Sequence, residues 1–270
     1  MRTSIFKKGL IGLILLAGFT AEASHHKPHK TIVLVHGAWQ GPWAWQTVKA
    51  ELINKGQKVV IIELPGHGSD VTSPQQASIN SYRDKVLAVM NQIPGKVILV
   101  GHSMGGMVIT AVADKAPEKI EKLVYVGAFL PTNGQSLMDL TMTDKESLLG
   151  KAISPGDGGL TLELLQDNIV PVFCADCSPN VQQQLLTHYK KEPAIPFGDK
   201  ATVNAEAFAK LDKYYIKTLE DRAVGPDLQS RMITAAGITK VYPLQSGHSP
   251  FLSMPDSITK VLLTIINYKD

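Results

Sequence analysis

The sequence KVILVGHSMGGMVITAVADK, residues 96–115, decides the fold because a strand, a sharp turn and a helix follow one another in it directly. Its opening, KVILV, is short and rich in aliphatic residues, which predicts a buried strand. The motif Gly101-x-Ser103-x-Gly105 comes next without a gap, and the remaining residues continue as a helix. A G-x-S-x-G motif alone is weak evidence, but between a strand and a helix it is typical of a nucleophile elbow, a tight turn from which the serine hydroxyl projects. We therefore predict that Ser103 is a nucleophile.

Short apolar strands alternate with amphipathic helices on both sides of this stretch. Strands are predicted at 31–35, 58–63, 96–100, 120–126, 213–219 and 238–244, and helices at 42–55, 79–93, 107–115, 226–236 and from 255 to the end. Nearly continuous Val/Ile/Leu strands between such helices indicate a parallel sheet that is covered on both faces. The predicted fold class is therefore α/β, with one mostly parallel sheet of about six strands.

The alternation stops between about residues 131 and 205, where prolines separate several short helical pieces. A second independent domain is one interpretation of this segment. The chain is short and crosses into the segment and back only once each way, which favours a helical cap inserted in a single domain. We therefore predict one domain at 31–270 with a cap at about 131–205.

The N-terminus has the order of a secretory signal: a basic start, an apolar run at 10–19 and a small-x-small site at 21–23. The apolar run is too short to cross a bilayer as a helix, which takes about 20 residues. We predict a signal peptide at 1–23 and a flexible leader at 24–30, with export to the periplasm or the extracellular space and no stable membrane insertion after cleavage. An uncleaved anchor and a buried N-terminal helix are the alternatives.

The charge balance argues against a nucleic-acid-binding protein. The chain carries 27 Lys and Arg against 24 Asp and Glu, a formal charge of +3, and it has no basic stripe beyond its first 30 residues. Removal of residues 1–23, which hold three basic residues and one acid, lowers that charge to +1. No nucleic-acid partner is therefore expected. The predicted catalytic residues, discussed below, make a small-molecule ester the expected partner, and the sequence leaves the oligomeric state open.

The two cysteines, Cys174 and Cys177, form a C-x-x-C motif inside the irregular segment. A structural zinc site needs four ligands, and the chain has no second cysteine pair. A thioredoxin-like motif would lie near the start of a βαβ unit. In an oxidising compartment, a local disulfide and two buried free thiols remain, and we expect the disulfide. We predict neither a metal site nor an organic cofactor.

A serine hydroxyl needs a base that takes its proton before it can attack. His248 follows the last predicted strand, and loops after parallel strands gather at the sheet edge where Ser103 emerges. We therefore predict His248 as the base. An acid must orient the imidazole, and Glu220 and Asp221 both come directly after the preceding strand. Their positions alone do not choose between them.

The negative charge that develops on a substrate oxygen needs backbone N–H donors. Met104 directly follows the nucleophile and is expected to supply one of them. The other is expected from the loop after the first strand, His36-Gly37-Ala38-Trp39, where Gly37 leaves room for a close approach of the backbone. We predict that the N–H groups of Ala38 and Met104 form the oxyanion hole.

Four blocks of sequence carry a family resemblance. They are His-Gly-Ala-Trp-x-Gly-x-Trp-x-Trp at 36–45, Gly-His-Ser-Met-Gly-Gly at 101–106, Leu-Glu-Asp-Arg-Ala at 219–223 and Gly-His-Ser-Pro at 247–250. Together they resemble the α/β-hydrolase superfamily, and within it the group of plant methylesterases, hydroxynitrile lyases and small bacterial carboxylesterases, over about residues 31–268. In that group the aspartate of a Glu-Asp pair at this place is the acid, which implies Asp221. The first two superfamily strands are missing, which is usual in this group and leaves about six.

The resemblance also separates the activities within this fold. The lyases carry threonine where this chain has Gly37 and lysine where it has Ser249, so cyanohydrin cleavage is not expected. The haloalkane dehalogenases and epoxide hydrolases of this fold use aspartate at the elbow, where this chain has Ser103. Ester hydrolysis is the activity that the resemblance implies.

The expected function is that of a secreted serine carboxylesterase that hydrolyses small hydrophobic esters, including aromatic and methyl esters, through an acyl-enzyme. Four residues in loops or at strand ends are predicted to line the substrate pocket: Trp39, Phe129, Leu130 and Phe251. A lactonase or another acyl-transfer hydrolase with the same triad is the alternative enzyme. A ligand receptor that keeps the fold without catalysis is the alternative from another class.

Overall fold

The computed structural model describes residues 30–268. The expected signal peptide, and the leader apart from Lys30, lie outside the described residues. Within the described part of the chain, no helix is both long enough and apolar enough to cross a membrane.

The central sheet has six strands, and all of them run parallel. They are β1 (Thr31–Val35), β2 (Lys58–Ile62), β3 (Val97–His102), β4 (Ile120–Val126), β5 (Lys213–Thr218) and β6 (Lys240–Leu244). Their spatial order is β2-β1-β3-β4-β5-β6. The strand order reverses between β1 and β3, and in open α/β sheets ligands bind at such a point, beyond the carboxyl ends of the strands. The predicted fold class is confirmed.

Helices cover both faces of the sheet because alternate strand residues point to opposite sides. Ile32 and Leu34 of β1 belong to one core cluster, whereas Val33 and Val35 belong to the other. The first cluster packs under α1 (Gln46–Asn54), α5 (Pro250–Ser253) and α6 (Pro255–Asn267), and the second under α2 (Ile79–Met90), α3 (Gly105–Lys115) and α4 (Pro226–Ala235). Short 3₁₀ turns lie at Pro42–Trp45, Pro74–Gln76, Pro117–Lys119 and Asp157–Gly159.

The cap lies between β4 and β5 and differs from the prediction of a purely helical insertion. Its helices are Leu137–Met142, Leu149–Ala152, Gln166–Phe173, Pro179–Thr187, Ile195–Gly198 and Ala205–Ala209. It also contains a small antiparallel sheet of three strands, Ile153–Gly156, Thr161–Leu164 and Glu192–Pro193. The first two of these strands form a hairpin because residues 157–159, Asp-Gly-Gly, all adopt positive φ. Asp and Gly tolerate that conformation, so this turn was the sequence signal for the hairpin.

Candidate active site

Ser103 lies in a tight turn between β3 and α3. Its φ of 53° falls in the left-handed region, which is unusual for a residue with a side chain. A Cβ on Gly101 would lie 2.6 Å from the carbonyl oxygen of Gly105, so the turn closes only with glycine there. The carbonyl oxygen of Ser103 accepts hydrogen bonds from the N–H groups of Gly106 and Phe129, at 2.9 and 3.1 Å. The elbow is therefore fixed by its backbone, as the sequence pattern predicted.

His248 lies in the loop after β6, where its ring is buried and faces the carboxylate of Asp221. Its Nδ1 is 2.9 Å from Oδ2 and 3.0 Å from Oδ1 of Asp221. Since a carboxylate only accepts, Nδ1 carries the proton. The other ring nitrogen, Nε2, is buried and has no hydrogen-bond partner within residues 30–268. In this tautomer Nε2 is a free acceptor, which is what a base requires.

The loop after β5 holds Asp221 through three further donors. The hydroxyl of Thr218 donates to Oδ2 at 2.7 Å, and the N–H groups of Ala223 and Val224 donate to Oδ1 at 2.8 Å each. Glu220, in contrast, is exposed, and its carboxylate accepts a hydrogen bond of 2.6 Å from the side chain of Gln245. The structure thus brings Asp221, and not Glu220, to the imidazole.

A second histidine supports the backbone at His248. The Nε2–H of His102 donates to the carbonyl oxygen of His248 at 2.9 Å, and the two rings lie 4.5 Å apart. Burial is the main cause that holds the pKa of His102 well below its ordinary value, and the nearby His248 lowers it further. His102 is therefore neutral, and it binds the loop without adding a charge beside His248.

The loop after β1 lies against the elbow, which is where an oxyanion hole would be. A Cβ on Gly37 would lie only 2.7 Å from Cβ of Ser103, so the backbone can pass this close only because Gly37 has no side chain. Ala38 follows and is buried, and Met104 starts the turn into α3 on the other side of Ser103. Trp39 adopts a φ of 57°, and its own N–H donates to the carboxylate of Glu192 at 2.7 Å.

Aromatic rings of the cap pack against this loop. The ring of Trp39 lies 5.7 Å from that of Phe173 and 5.4 Å from that of Phe197, and Phe173 also lies 5.6 Å from the ring of His248. Phe129 and Leu130 are buried in the same core cluster. Phe251 lies elsewhere: it packs on Trp45 and His102 in the cluster under α1 and α6. Phe251 thus lies in a different core cluster from the other three predicted pocket residues.

The disulfide motif lies at the end of the cap helix that carries Phe173. Cys174 and Cys177 are joined by a disulfide. The side-chain amide of Gln182 donates to the carbonyl oxygens of both cysteines, at 3.2 and 3.0 Å. Within residues 30–268, no group of three or more His, Cys, Asp or Glu side chains is placed to hold a metal ion.

Sequence reasoning missed the contribution of the cap to this site. Phe173, Phe197 and Glu192 all contact the loop after β1 or His248, yet they belong to a segment without regular periodicity. Only a bulky aromatic residue directly before Cys174 could have pointed to a packed position. A fully buried glutamate carries no signal in a single sequence.

A strained serine after β3 and a carboxylate-held histidine after β6 define a hydrolase built on a parallel α/β sheet. The chain matches the model of the alpha/beta hydrolase family over residues 32–261. Putative methylesterase 12, chloroplastic, of Arabidopsis thaliana is 30% identical over 249 residues, which cover 87% of this chain and 71% of that protein. Polyneuridine aldehyde esterase of Rauvolfia serpentina is 27% identical, covering 90% of this chain and 98% of that protein.

A solved structure is similar over nearly the same length. An extracellular alpha/beta-hydrolase from a Paenibacillus species is 26% identical, with a TM-score of 0.75, and the match covers 87% of this chain and 98% of that one. The chain therefore belongs to the alpha/beta hydrolase family and is an esterase-type enzyme.

Proposed function

We propose that the protein is an exported serine carboxylesterase in which Ser103 is the nucleophile, His248 the base and Asp221 the residue that orients the base. The buried Nε2 of His248, which has no partner among residues 30–268, carries this proposal. A polar atom that is buried without a partner costs free energy, so its position calls for a functional reason. The role of proton acceptor for the hydroxyl of Ser103 would supply that reason.

The first half of the reaction acylates the serine. Oγ of Ser103 attacks the ester carbonyl carbon while Nε2 of His248 takes the hydroxyl proton. The carbonyl oxygen becomes an oxyanion, and the N–H groups of Ala38 and Met104 donate to it. When the carbonyl re-forms, the C–O bond to the alcohol breaks, and the imidazolium gives its proton to the leaving oxygen. Asp221 stabilises the imidazolium in between.

The second half repeats these steps with water. His248 takes a proton from a water molecule, whose oxygen attacks the acyl carbon. The same two N–H groups bind the second oxyanion, and its collapse returns the proton to Oγ of Ser103 and releases the carboxylic acid. The chain's own residues supply every proton transfer, so the proposed cycle needs no cofactor.

The aromatic surroundings favour a small hydrophobic ester. Trp39, in the loop that lies against the elbow, packs on the rings of Phe173 and Phe197, and such aromatic surroundings suit an aromatic or compact aliphatic group. The relatives named as methylesterase and polyneuridine aldehyde esterase support a methyl ester as one such substrate. Gly37 and Ser249 lack the threonine and lysine of the lyases, which speaks against cyanohydrin cleavage.

Export is proposed on separate grounds. The order of charged, apolar and small residues at 1–23 supports a cleaved signal peptide. The Cys174–Cys177 disulfide is compatible with an oxidising compartment. The mature protein would then act in the periplasm or outside the cell.

A substrate panel with the chain from residue 24 onward tests the enzymatic proposal. The panel contains methyl and longer alkyl esters of aromatic and short aliphatic acids, long-chain esters and a small lactone. We expect the highest kcat/KM on a small hydrophobic ester, and none in Ser103→Ala. Hydrolysis of the lactone alone would assign a lactonase instead. No turnover on any ester or lactone, together with no labelling of Ser103 by a covalent serine probe, would favour a receptor.

A further inference from the structure

A fully buried ion pair connects the cap to the body of the protein beside the loop after β1. Nε2 of His67 lies 2.8 Å from Oε2 of Glu192, and both side chains are inaccessible to solvent, with exposures of 1% and 0%. His67 comes from the loop after β2, and Glu192 from the last strand of the cap sheet. Neither residue belongs to the proposed triad.

The hydrogen bonds of His67 require the charged form of its ring. Its Nδ1 lies 3.0 Å from the carbonyl oxygen of Pro65, and its Nε2 faces the carboxylate of Glu192. Both partners accept, so both ring nitrogens must donate, as only an imidazolium does. Burial by itself lowers the pKa of His67, but the Glu192 carboxylate and these hydrogen bonds raise it above the ordinary value.

The two other titratable rings that pack against His67 are neutral and do not supply the positive charge that faces Glu192. The ring of His36 lies 4.9 Å away, and burial followed by the charge of His67 lowers the pKa of His36 to about 3, so His36 is neutral. The ring of Tyr82 packs edge-on at 5.6 Å, and burial raises its pKa, so it is neutral as well. The charge of Lys190, whose Nζ donates to the carbonyl oxygens of Gly68 and Asp70, lowers the pKa of His67.

The same oxygen of Glu192 that binds His67 also binds the backbone of the loop after β1. Oε2 accepts the N–H of Trp39 at 2.7 Å, a charge-assisted bond. The indole N–H of Trp39 donates to the carbonyl oxygen of Leu162 on the neighbouring cap strand at 3.0 Å. Trp39 is thus bound to two cap strands through its backbone and its side chain. The peptide group that joins it to Ala38 is held in one orientation as a result.

We propose that Glu192 and His67 are positioning residues of the oxyanion hole: Glu192 fixes the Ala38–Trp39 peptide through the Trp39 N–H, and His67 fixes Glu192. The proposed donor, the N–H of Ala38, belongs to the preceding Gly37–Ala38 peptide, so Glu192 acts on it through the backbone of Ala38. This inference rests on the proposed function, because Ala38 is an oxyanion donor only in that proposal. An oxyanion donor is effective only if it already points at the position of the developing charge. The cap therefore completes the catalytic geometry without touching the substrate.

Loss of the carboxylate would leave the Trp39 N–H buried against a weaker acceptor. In Glu192→Gln, one oxygen still serves both donors, as Oε2 does in the wild type, but this oxygen no longer carries a negative charge. The amide NH₂ group replaces the other carboxylate oxygen in the same buried site. The loop then samples other orientations, and the oxyanion is stabilised less while ground-state binding is nearly unchanged. Such a change lowers kcat and leaves KM in place.

The test compares Glu192→Gln with Glu163→Gln, a control that removes a carboxylate from the neighbouring cap strand. Glu163 pairs with Lys191 at 2.7 Å, but both side chains are partly exposed. We expect Glu192→Gln to lower kcat on a small ester by about 10- to 100-fold with KM within about threefold. Glu163→Gln should retain both values. His67→Gln, which keeps a donor but not the charge, should lower kcat by about 3- to 10-fold.

Two further readouts do not depend on ester turnover. Hydrogen exchange at the Trp39 amide should accelerate at least about tenfold in Glu192→Gln, and the ¹⁵N spectrum of His67 should show both ring nitrogens protonated at pH 7. A folded Glu192→Gln with kcat within twofold of wild type, or with unchanged Trp39 exchange, would overturn the inference. A neutral His67 in the wild-type protein would overturn it even if the variants fail to fold. A wild-type protein inactive on all esters but with Glu192-dependent Trp39 exchange would contradict the esterase proposal and the oxyanion role, while the loop contact would stand.

Discussion

The carboxylate of Asp176 accepts a hydrogen bond of 2.8 Å from the backbone N–H of Gly247, the residue directly before His248. Asp176 lies inside the small loop that the Cys174–Cys177 disulfide closes. Phe173, the residue directly before Cys174, packs on the ring of His248. The cap therefore contacts two parts of the loop that carries the proposed base: the backbone N–H of Gly247 and the ring of His248.

Asp176→Ala should lower kcat about tenfold, because the N–H of Gly247, directly before His248, loses its side-chain acceptor and the imidazole is less well oriented. The Cys174→Ser, Cys177→Ser double variant should stay within about threefold of wild-type turnover, because the amide of Gln182 still binds both carbonyl oxygens. It should lose at most about 2–3 kcal/mol of unfolding free energy, as expected for a short closed loop. Steady-state kinetics measures the turnover of each variant, and denaturant unfolding measures the free energy of unfolding of the double variant.

The disulfide itself is checked by mass spectrometry of the unreduced, alkylated protein from the exported fraction. We expect neither cysteine to be alkylated. Two alkylated cysteines would show free thiols. A double variant that folds but has no turnover would assign the cysteines to the chemistry, contrary to this account.

Asp221→Asn should lower kcat by about 10³- to 10⁴-fold, because an amide cannot hold the same imidazole tautomer or stabilise the imidazolium. Glu220→Gln is the matched control at the adjacent position. Its side chain is exposed and accepts a hydrogen bond from Gln245, so the kcat of the variant should stay within about twofold of wild type. The reverse ranking in a kinetic comparison would move the role to Glu220.

Gly37→Ala should lower kcat strongly, about tenfold or more, because the new Cβ would lie 2.7 Å from Cβ of Ser103 and push the two loops apart. Crowding of this kind also costs about 1–3 kcal/mol of stability. Gly150→Ala is the control, since a Cβ there meets nothing within 4 Å. Equal activity of the two variants would mean that the loop after β1 tolerates displacement, against its proposed role.

The buried ion pair predicts a pH dependence of stability. The pKa of His67 is raised in the folded protein, so its contribution is fully present below the unfolded pKa of about 6.5 and is lost as the pH rises through the folded pKa. Wild type should therefore be more stable than His67→Gln at pH 6, by a margin that shrinks at pH 9. Urea unfolding at both values measures this margin. A margin that is constant or grows with pH would show that His67 is not charged in the folded state.

The body of the fold was predictable because its strands and helices repeat one physical pattern. Strands β1 to β4 are short runs rich in aliphatic residues, β5 and β6 are short runs that also contain tyrosine, and each strand is followed by a helix or a glycine-containing turn. The position of Ser103 followed from the glycine spacing, and that of His248 from the common edge of parallel strands. Asp221 needed the family resemblance, because Glu220 and Asp221 are separated by less than the uncertainty of a strand end.

The contributions of the cap could not be predicted, because they depend on long-range contacts of an irregular segment. Glu192 reaches Trp39 and His67 across more than a hundred residues of sequence. A glutamate in a Lys-Lys-Glu run is usually solvent-exposed, and here only tertiary structure buries it. Phe251 is a residue whose position in the sequence was a poor guide. Its place after β6 suggested a pocket wall, but α5 directs its ring into the core cluster under α1 and α6.

Turnover of Ser103→Ala on the best small ester tests the central claim most directly. We predict a fall in kcat of about 10⁴- to 10⁶-fold with an unchanged unfolding transition, together with covalent probe labelling of wild type at Ser103 and of no residue in the variant. Wild-type turnover in the folded variant, or labelling at another residue, would contradict the assignment of Ser103 as the nucleophile and with it the proposed mechanism.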